Sequence, residues 1–243
     1  MIFCPSGWVP LYPRLRATCP EHALNMTDAI DKLLSAAAQA RREKRSADAR
    51  RDLLEAVALA RSGNDRGVLA RAVTELGRIE RDTGHTDAAL ASYQGAAAIY
   101  RKQGDVLKLA HAIRHLGDIH QDAGRPAEAE PCFQEAIAIY RANPDTPALD
   151  MANALRPLAL LKDGAGQLDG ADCLWDGAKE LYAAVKVFPG VAECAGRQAI
   201  LARRREDFER ARSLRAEATA AAENSGDYNS VRYVNEVRAS ISG

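Results

Sequence analysis

The sequence predicts an all-α fold, a right-handed α-solenoid of about five helix-turn-helix units closed by a C-terminal capping helix. The first observation is an internal repeat, because residues 84–100 align with residues 124–140 without a gap. Self-similarity at a fixed period of this length is typical of stacked supersecondary units. The second observation is composition, since 47% of the residues are hydrophobic but only 5% are aromatic. Alanine supplies much of the apolar content, which favours closely packed helices over a sheet.

The second helix of each unit is marked by a recurring alanine. These alanines are Ala56, Ala96, Ala136, Ala178 and Ala218, and each follows another alanine seven residues earlier. Three residues before them stand Leu53, Tyr93, Phe133, Trp175 and, less regularly, Arg215. Spacings of three, four and seven residues place these positions on one helical face. The predicted units are residues 28–65, 66–105, 106–146, 147–187 and 188–228, and the capping helix covers residues 229–243.

Each unit also contains an earlier helix that ends at a turn. Residues 69–82 and 109–122 carry the same pattern of apolar residues, including Leu-Gly at 76–77 and again at 116–117. Gly84, Gly124 and Gly166 follow these helices, where a left-handed backbone conformation suits glycine. The pattern therefore predicts a helix, a tight turn and a second helix in every unit.

Residues 1–26 differ in character from the rest of the chain and are predicted to be a poorly ordered tail. Four prolines interrupt any helical pattern in residues 1–25. A basic start and an unbroken apolar stretch, which a signal peptide needs, are both missing from this segment. Thr27 or Asp28 is expected to cap the first helix. Residues 27–243 are therefore assigned to the solenoid.

Overall charge and cysteine content limit the classes of binding partner and the cellular compartment that we expect. The chain has 33 basic and 33 acidic residues, so neither nucleic acid nor an anionic membrane surface is an expected partner. No apolar run approaches the roughly 20 residues that span a bilayer. Five scattered cysteines without a C-x-x-C pair indicate free thiols in a reducing cytoplasm.

The repeated positions resemble those of the tetratricopeptide repeat family. They are Leu76, Gly77, Gly84, Ala89, Tyr93 and Ala96 in one unit, and Leu116, Gly117, Gly124, Ala129, Phe133 and Ala136 in the next. The long period and the stretch 127–131 before Phe133 look like the kinesin-light-chain variety of the repeat. The resemblance covers about residues 28–228. It implies a protein-interaction scaffold whose first helices line a concave groove for an extended peptide or a partner helix.

The first helices carry a polar stripe beside their apolar positions, and this stripe is the predicted partner-binding groove. Its residues are Arg71, Thr74, Arg78, His111, Arg114, Asp118, Asn153 and Arg156. The groove is net basic, and arginine can bind a carboxylate through two parallel hydrogen bonds. We therefore expect an acidic segment or a C-terminal carboxylate as ligand. The alternative is that these side chains are merely a solvated polar face.

Two further functional hypotheses remain open at this stage. The array could be a peptide-sensing signalling protein in which a bound peptide alters its curvature. It could also be a metal-binding enzyme, because His111, His115 and Asp118 lie four and three residues apart on one helical face. No phosphate-binding loop or nucleophile elbow occurs in the sequence. The main prediction is therefore a non-enzymatic binding module without a cofactor.

Overall fold

The structure, a computed structural model, describes residues 20–63 and 65–241 as α-helices joined by short turns. The helices are α1 (Pro20–Arg42), α2 (Ser46–Ser62), α3 (Arg66–Asp82), α4 (Thr86–Gln103), α5 (Val106–Asp122), α6 (Pro126–Arg141), α7 (Ala148–Gly164), α8 (Leu168–Ala184), α9 (Phe188–Arg204), α10 (Phe208–Ser225) and α11 (Tyr228–Ile241). These described ranges contain no β-strand. No helix within them is both long and apolar enough to cross a bilayer.

Consecutive helices pack as five antiparallel pairs, α1/α2 to α9/α10, and each pair stacks on the next. The last helix, α11, packs on both α9 and α10. A single pair cannot bury its apolar face, so stacking forms one continuous core along the array. The predicted all-α solenoid of about five units with a capping helix is thus confirmed.

The start of the first helix differs from the prediction. Helix α1 begins at Pro20, so residues 20–26 belong to the helix and not to a tail. Thr27 and Asp28 consequently lie inside α1 and do not cap it. The physical reason is that proline is tolerated in the first helical turn, where its missing N–H would have no partner, so Pro20 does not break the helix. The rest of the predicted tail, residues 1–19, lies outside the described residues.

The core is made by alanines that flank one large side chain on each second helix. In α4, for example, Ala89, Tyr93 and Ala96 are all fully buried. Phe133 of α6 packs against α5 at Gly117, where an added Cβ would lie 2.7 Å from the ring atom Cε1. A glycine at that position therefore lets the two helices approach across the ring. The same juxtaposition recurs between Gly77 and Tyr93.

The turns inside the units use the left-handed conformation that the glycines predict. The φ angles of Gly84, Gly124 and Gly166 are +76°, +70° and +73°. In the first and fifth units the corresponding positions are Lys44 and Glu206, which adopt φ angles of 59° and 63° without being glycine. The outer units thus keep the turn geometry at a cost of roughly 1 kcal/mol per non-glycine residue.

Candidate functional site

The first helices of the units lie side by side and form one surface, which we call the inner face (α1, α3, α5, α7 and α9). Side chains connect neighbours along it. Arg41 of α1 contacts Asp82 of α3 at 3.0 Å, and Arg156 of α7 contacts Glu193 of α9 at 2.9 Å. Tyr233 extends the surface to α11, because its hydroxyl donates to the carbonyl of Glu193 at 3.3 Å. The polar stripe of the sequence maps to this face.

A buried charge cluster, which we call the central cluster (Arg81, Arg114, His115 and Asp118), occupies the centre of the inner face. Nη1 of Arg114 donates to Oδ2 of Asp118 at 2.7 Å, and Nη1 of Arg81 reaches the same oxygen at 3.1 Å. Nδ1 of His115 lies 3.0 Å from this oxygen as well. Arg81 also donates from Nε to Asp122 at 2.8 Å. One carboxylate therefore holds two guanidinium groups and links α3 to α5.

The cluster determines the protonation of its histidine. Nη2 of Arg114 lies 2.7 Å from Nε2 of His115. Arginine can only donate, so Nε2 must be the unprotonated nitrogen and the proton must sit on Nδ1, facing Asp118. Burial, together with the charge of Arg114, lowers the pKa of His115 in agreement with this neutral form. His115 is therefore a structural member of the network.

The neighbouring His111 is also held neutral. Its ring meets that of His115 edge to face, with ring centroids 4.6 Å apart. Burial, together with the positive charges of Arg114 and Arg78, lowers the pKa of His111 to about 3. Any protonation of this ring would place a third positive charge beside Arg114 and Arg78. His111 thus behaves as a neutral polar group at physiological pH.

The depressed histidine pKa values predict a loss of stability in mild acid. Unfolded histidine titrates near 6.5, so below that pH the unfolded chain binds more protons than the folded chain and stability falls as pH falls. For His111 the expected loss between pH 7.5 and pH 5 is about 1–2 kcal/mol of unfolding free energy. Urea denaturation at the two pH values measures it, and His111→Gln should reduce the difference. An equal pH dependence in wild type and His111→Gln would contradict the assignment.

Two buried tyrosines lie against the central cluster without hydrogen-bond partners. The ring of Tyr93 stacks on His115 at a centroid distance of 4.8 Å. Burial raises the pKa of Tyr93 to about 12, and it raises that of Tyr140 to about 12 as well. Both hydroxyls, and Nε of Arg114, are buried and unpaired. The centre of the inner face therefore holds several donors that no protein acceptor satisfies.

Three residues of the predicted groove lie outside the central cluster. Arg71 is exposed and forms an ion pair with Asp31 of α1. Thr74 is only 8% exposed, and its hydroxyl donates to the carbonyl of Ala70 at 2.8 Å and lies 3.2 Å from the hydroxyl of Tyr100. The prediction that Thr74 faces a ligand is therefore wrong, because a tyrosine of α4 covers it. Arg78 is half-buried, with Glu75 at 3.6 Å as its nearest acidic group.

The remaining two predicted residues, Asn153 and Arg156, line a pocket between α7, α9 and α11. The pocket has a volume of about 460 Å³. Oδ1 of Asn153 accepts a hydrogen bond from the hydroxyl of Tyr182 at 2.7 Å. The other polar residues in its wall include Glu193 and Arg197 of α9.

Sequence reasoning missed the α9 part of this pocket, although the repeat carried a signal for it. The polar stripe continues into the fifth unit at Glu193, 37 residues after Arg156. Glu193 also lies 40 residues after Asn153, so extending the stripe by one unit would have found it, whereas Arg197 lies 40 residues after Pro157 and falls beside the stripe.

Tyr182 occupies the repeat position of Tyr100 and Tyr140, but that position did not indicate a pocket. Tyr233 gave no repeat signal, and only the packing of α11 brings it to the pocket.

The metal hypothesis receives no support from the geometry of the described residues. Within that part of the chain, no group of three or more histidine, cysteine, aspartate or glutamate side chains could hold a metal ion. His111, His115 and Asp118 do lie close together, but Asp118 is already engaged by Arg81 and Arg114. Two cations at this carboxylate would repel a metal ion.

Two protein-family models match parts of the sequence. Residues 105–174 match a family model described as tetratricopeptide repeat. Residues 29–83 and 69–122 match a model described as anaphase-promoting complex subunit 5. No curated protein matches the chain in sequence.

Solved structures with the same fold cover most of the chain. Aspartyl phosphate phosphatase F from Bacillus subtilis aligns with a TM-score of 0.78 and 13% identity over 89% of this chain and 56% of its own. Tetratricopeptide-like repeats of a putative kinesin light chain from Podosopora anserina align with a TM-score of 0.63 and 17% identity, covering 83% and 96%. A signal-transduction ATPase with numerous domains from Pyrococcus horikoshii, which has a tetratricopeptide repeat sensor, aligns with a TM-score of 0.71 and 16% identity, covering 87% and 36%. At these identities the likeness concerns the fold.

Proposed function

Because the chain has the tetratricopeptide-repeat fold, with the family's sequence pattern over residues 105–174, we propose that it is a non-enzymatic protein-interaction module. Its inner face binds a peptide or an extended segment of a partner protein. Such arrays use their curved surface for binding because successive units present side chains at regular intervals. A preformed surface of this kind loses little conformational freedom when a ligand binds.

The proposal rests mainly on one observation, the row of arginines along the inner face. Arg78 of α3, Arg114 of α5 and Arg156 of α7 stand on three successive inner helices. The side chains of Arg78 and Arg156 are partly exposed, and the acidic neighbour of Arg78, Glu75, is 3.6 Å away. Both guanidinium groups can be reached by a ligand that brings acceptors or negative charge, whereas Arg114 is buried and already paired with Asp118. An acidic peptide segment is therefore the best-matched ligand.

A peptide-binding measurement tests this proposal. We would use two fluorescein-labelled pools of ten-residue peptides, one containing aspartate and glutamate at half of the positions and one with asparagine and glutamine in their place. Fluorescence anisotropy is expected to detect tighter binding of the acidic pool. Arg78→Ala/Arg156→Ala should weaken that binding at least tenfold, because each charge-assisted hydrogen bond contributes about 1.5–3 kcal/mol.

The matched control is Arg141→Ala/Arg212→Ala, which removes two exposed arginines from the second helices α6 and α10. This variant changes the net charge by the same amount and should bind the acidic pool like the wild type. Equal weakening in both variants would indicate a nonspecific effect of charge. Unchanged affinity in Arg78→Ala/Arg156→Ala would refute the proposal.

A peptide-sensing regulatory role is the second candidate function. It is favoured by the structural likeness to an ATPase whose printed description includes a tetratricopeptide repeat sensor. In this case a bound peptide changes the curvature of the array. Small-angle X-ray scattering with and without saturating acidic peptide distinguishes the two, because a sensor alters its radius of gyration and a rigid scaffold does not.

A further inference from the structure

The pocket between α7, α9 and α11 contains a guanidinium group without an acidic partner. Arg197 of α9 lines the pocket and is half-buried. Its Nε is inaccessible to solvent and has no hydrogen-bond partner. Among the residues that the structure describes, no carboxylate lies within 4.0 Å of it. Partly desolvated cations are normally paired, so the lack of a partner beside a cavity is informative.

The acidic groups in the pocket wall are already occupied. Glu193 accepts from Nη1 of Arg156 at 2.9 Å. Asp227 accepts from the backbone N–H of Ser230 at 2.8 Å and from its hydroxyl at 2.7 Å, which caps the N-terminus of α11. The charge of Glu193 is thus compensated by Arg156, whereas Asp227 accepts hydrogen bonds from neutral donors and keeps its negative charge. Arg197 remains the one cation of the described pocket wall without an acidic partner, and its guanidinium is therefore the group that can bind an anion.

The apolar part of the wall includes two tyrosine rings that pack on glycines of α9. An added Cβ at Gly190 would lie 2.6 Å from the ring of Tyr182, and one at Gly196 would lie 2.8 Å from the ring of Tyr233. Both rings therefore pack directly on the α9 backbone, and both line the pocket. Leu149, Val187 and Pro189 complete the apolar part of the wall.

We propose that this pocket binds a carboxylate attached to an apolar group of about the size of a leucine or phenylalanine side chain. The guanidinium of Arg197 donates to the carboxylate, and the apolar group lies among the tyrosine rings and Leu149. Asn153 supplies an amide N–H to a neighbouring carbonyl, because its Oδ1 already accepts from Tyr182. A volume of about 460 Å³ is within the usual range for small-ligand sites. The pocket shares Arg156 with the arginine row of the proposed function, whereas Arg197 is not part of that row, so substitutions at Arg197 test the pocket separately.

Two sources share this chemistry, a free carboxylic acid and the C-terminal residue of a peptide. The first probe is N-acetylphenylalanine, and its carboxamide is the matched neutral control. Titration into the ¹⁵N-labelled protein should give saturable shifts of backbone amides in residues 187–197 and 227–233. The carboxamide should bind at least tenfold more weakly, since it lacks the charge. Equal binding of the two compounds, or shifts confined to other helices, would overturn the proposal.

Variants of the pocket provide the second test. Arg197→Gln should weaken binding of N-acetylphenylalanine at least tenfold, whereas the surface control Arg212→Gln should bind like the wild type. Leu149 is 39% exposed, so its substitution does not endanger the fold. Leu149→Glu should weaken binding severalfold by repulsion, and Leu149→Gln should do so much less. Wild-type affinity in both Arg197→Gln and Leu149→Glu would overturn the proposal.

A third arm identifies the source of the carboxylate. The probe is the peptide acetyl-Gly-Ser-Gly-Ser-Gly-Phe with a free C-terminus, together with its C-terminal amide. Binding of the free-acid peptide at least as tight as that of N-acetylphenylalanine supports a peptide C-terminus as ligand. Binding of N-acetylphenylalanine alone supports a free acid. Failure of both acids overturns the proposal but leaves the acidic-peptide contact at Arg78 standing on its own measurement.

Discussion

Replacement of Trp175 by alanine is expected to lower the free energy of unfolding by about 3–5 kcal/mol. The side chain is fully buried on α8 between Ala171 and Ala178. It stands where Phe133 stands in the preceding unit and fills the space between paired helices. Its indole Nε1 has no hydrogen-bond partner, so the loss comes from apolar burial and from the cavity left behind. Urea denaturation followed by circular dichroism at 222 nm measures the change.

Trp175→Phe is the matched control for this prediction. It retains an aromatic ring of the size that the third unit uses, so the expected loss is less than half that of the alanine variant. Because each unit is stabilised by its neighbours, the alanine variant should also broaden the unfolding transition as the fourth unit uncouples from the stack. A loss below 1 kcal/mol for Trp175→Ala would contradict the packing described for α8.

Replacement of Asp118 by alanine is the second substitution with a large expected effect, again about 3–5 kcal/mol of unfolding free energy. Asp118 is buried and is the acidic partner of Arg114, which is itself only 9% exposed. Removing the carboxylate leaves the guanidinium desolvated and unpaired. Replacing both residues together, as Arg114→Met/Asp118→Leu, should recover most of the loss because no buried charge remains. Urea denaturation of the three proteins gives the comparison.

The pH dependence of the unfolding free energy in acid gives an independent test of the role of Asp118. Burial opposes ionisation, but the hydrogen bond with His115 and the charges of Arg114 and Arg81 keep the pKa of Asp118 below its usual value. A lowered folded-state pKa means that this stability is present above the unfolded pKa, about 3.9, and is lost as pH falls through the folded pKa. Asp118→Asn should therefore show a shallower decline below pH 4 than the wild type. Identical declines would show that Asp118 is not the titrating group.

Much of the fold could be predicted from spacing because repeat packing is a local problem. A unit needs small residues where helices touch, one large residue to fill the gap, and a glycine where the turn reverses. These requirements recur in every unit, so Ala89, Tyr93 and Gly84 have recognisable counterparts one unit later. The start of the first helix was predicted wrongly. A proline usually interrupts a helix, but Pro20 stands at the first position of α1, where proline is tolerated.

The candidate site could be predicted only in outline. Helical spacing placed Arg78, Arg114 and Arg156 on one surface, because that spacing depends only on the geometry of a single helix. It could not tell that Tyr100 covers Thr74 or that Arg114 and Asp118 neutralise each other. Those outcomes depend on side chains of neighbouring helices, whose positions a single-helix pattern does not contain.

By itself, the sequence determined the stacked helical units, their turns and the helices that carry the polar stripe. Only the tertiary structure decided which polar residues are already satisfied and which remain available. It buried Thr74, paired Asp118 with two arginines, and left Arg197 unpaired beside a pocket whose walls come from four helices. The physical reason is that helix formation and unit packing follow short-range periodicity, whereas the state of a charge depends on every group that stacking brings within a few ångströms.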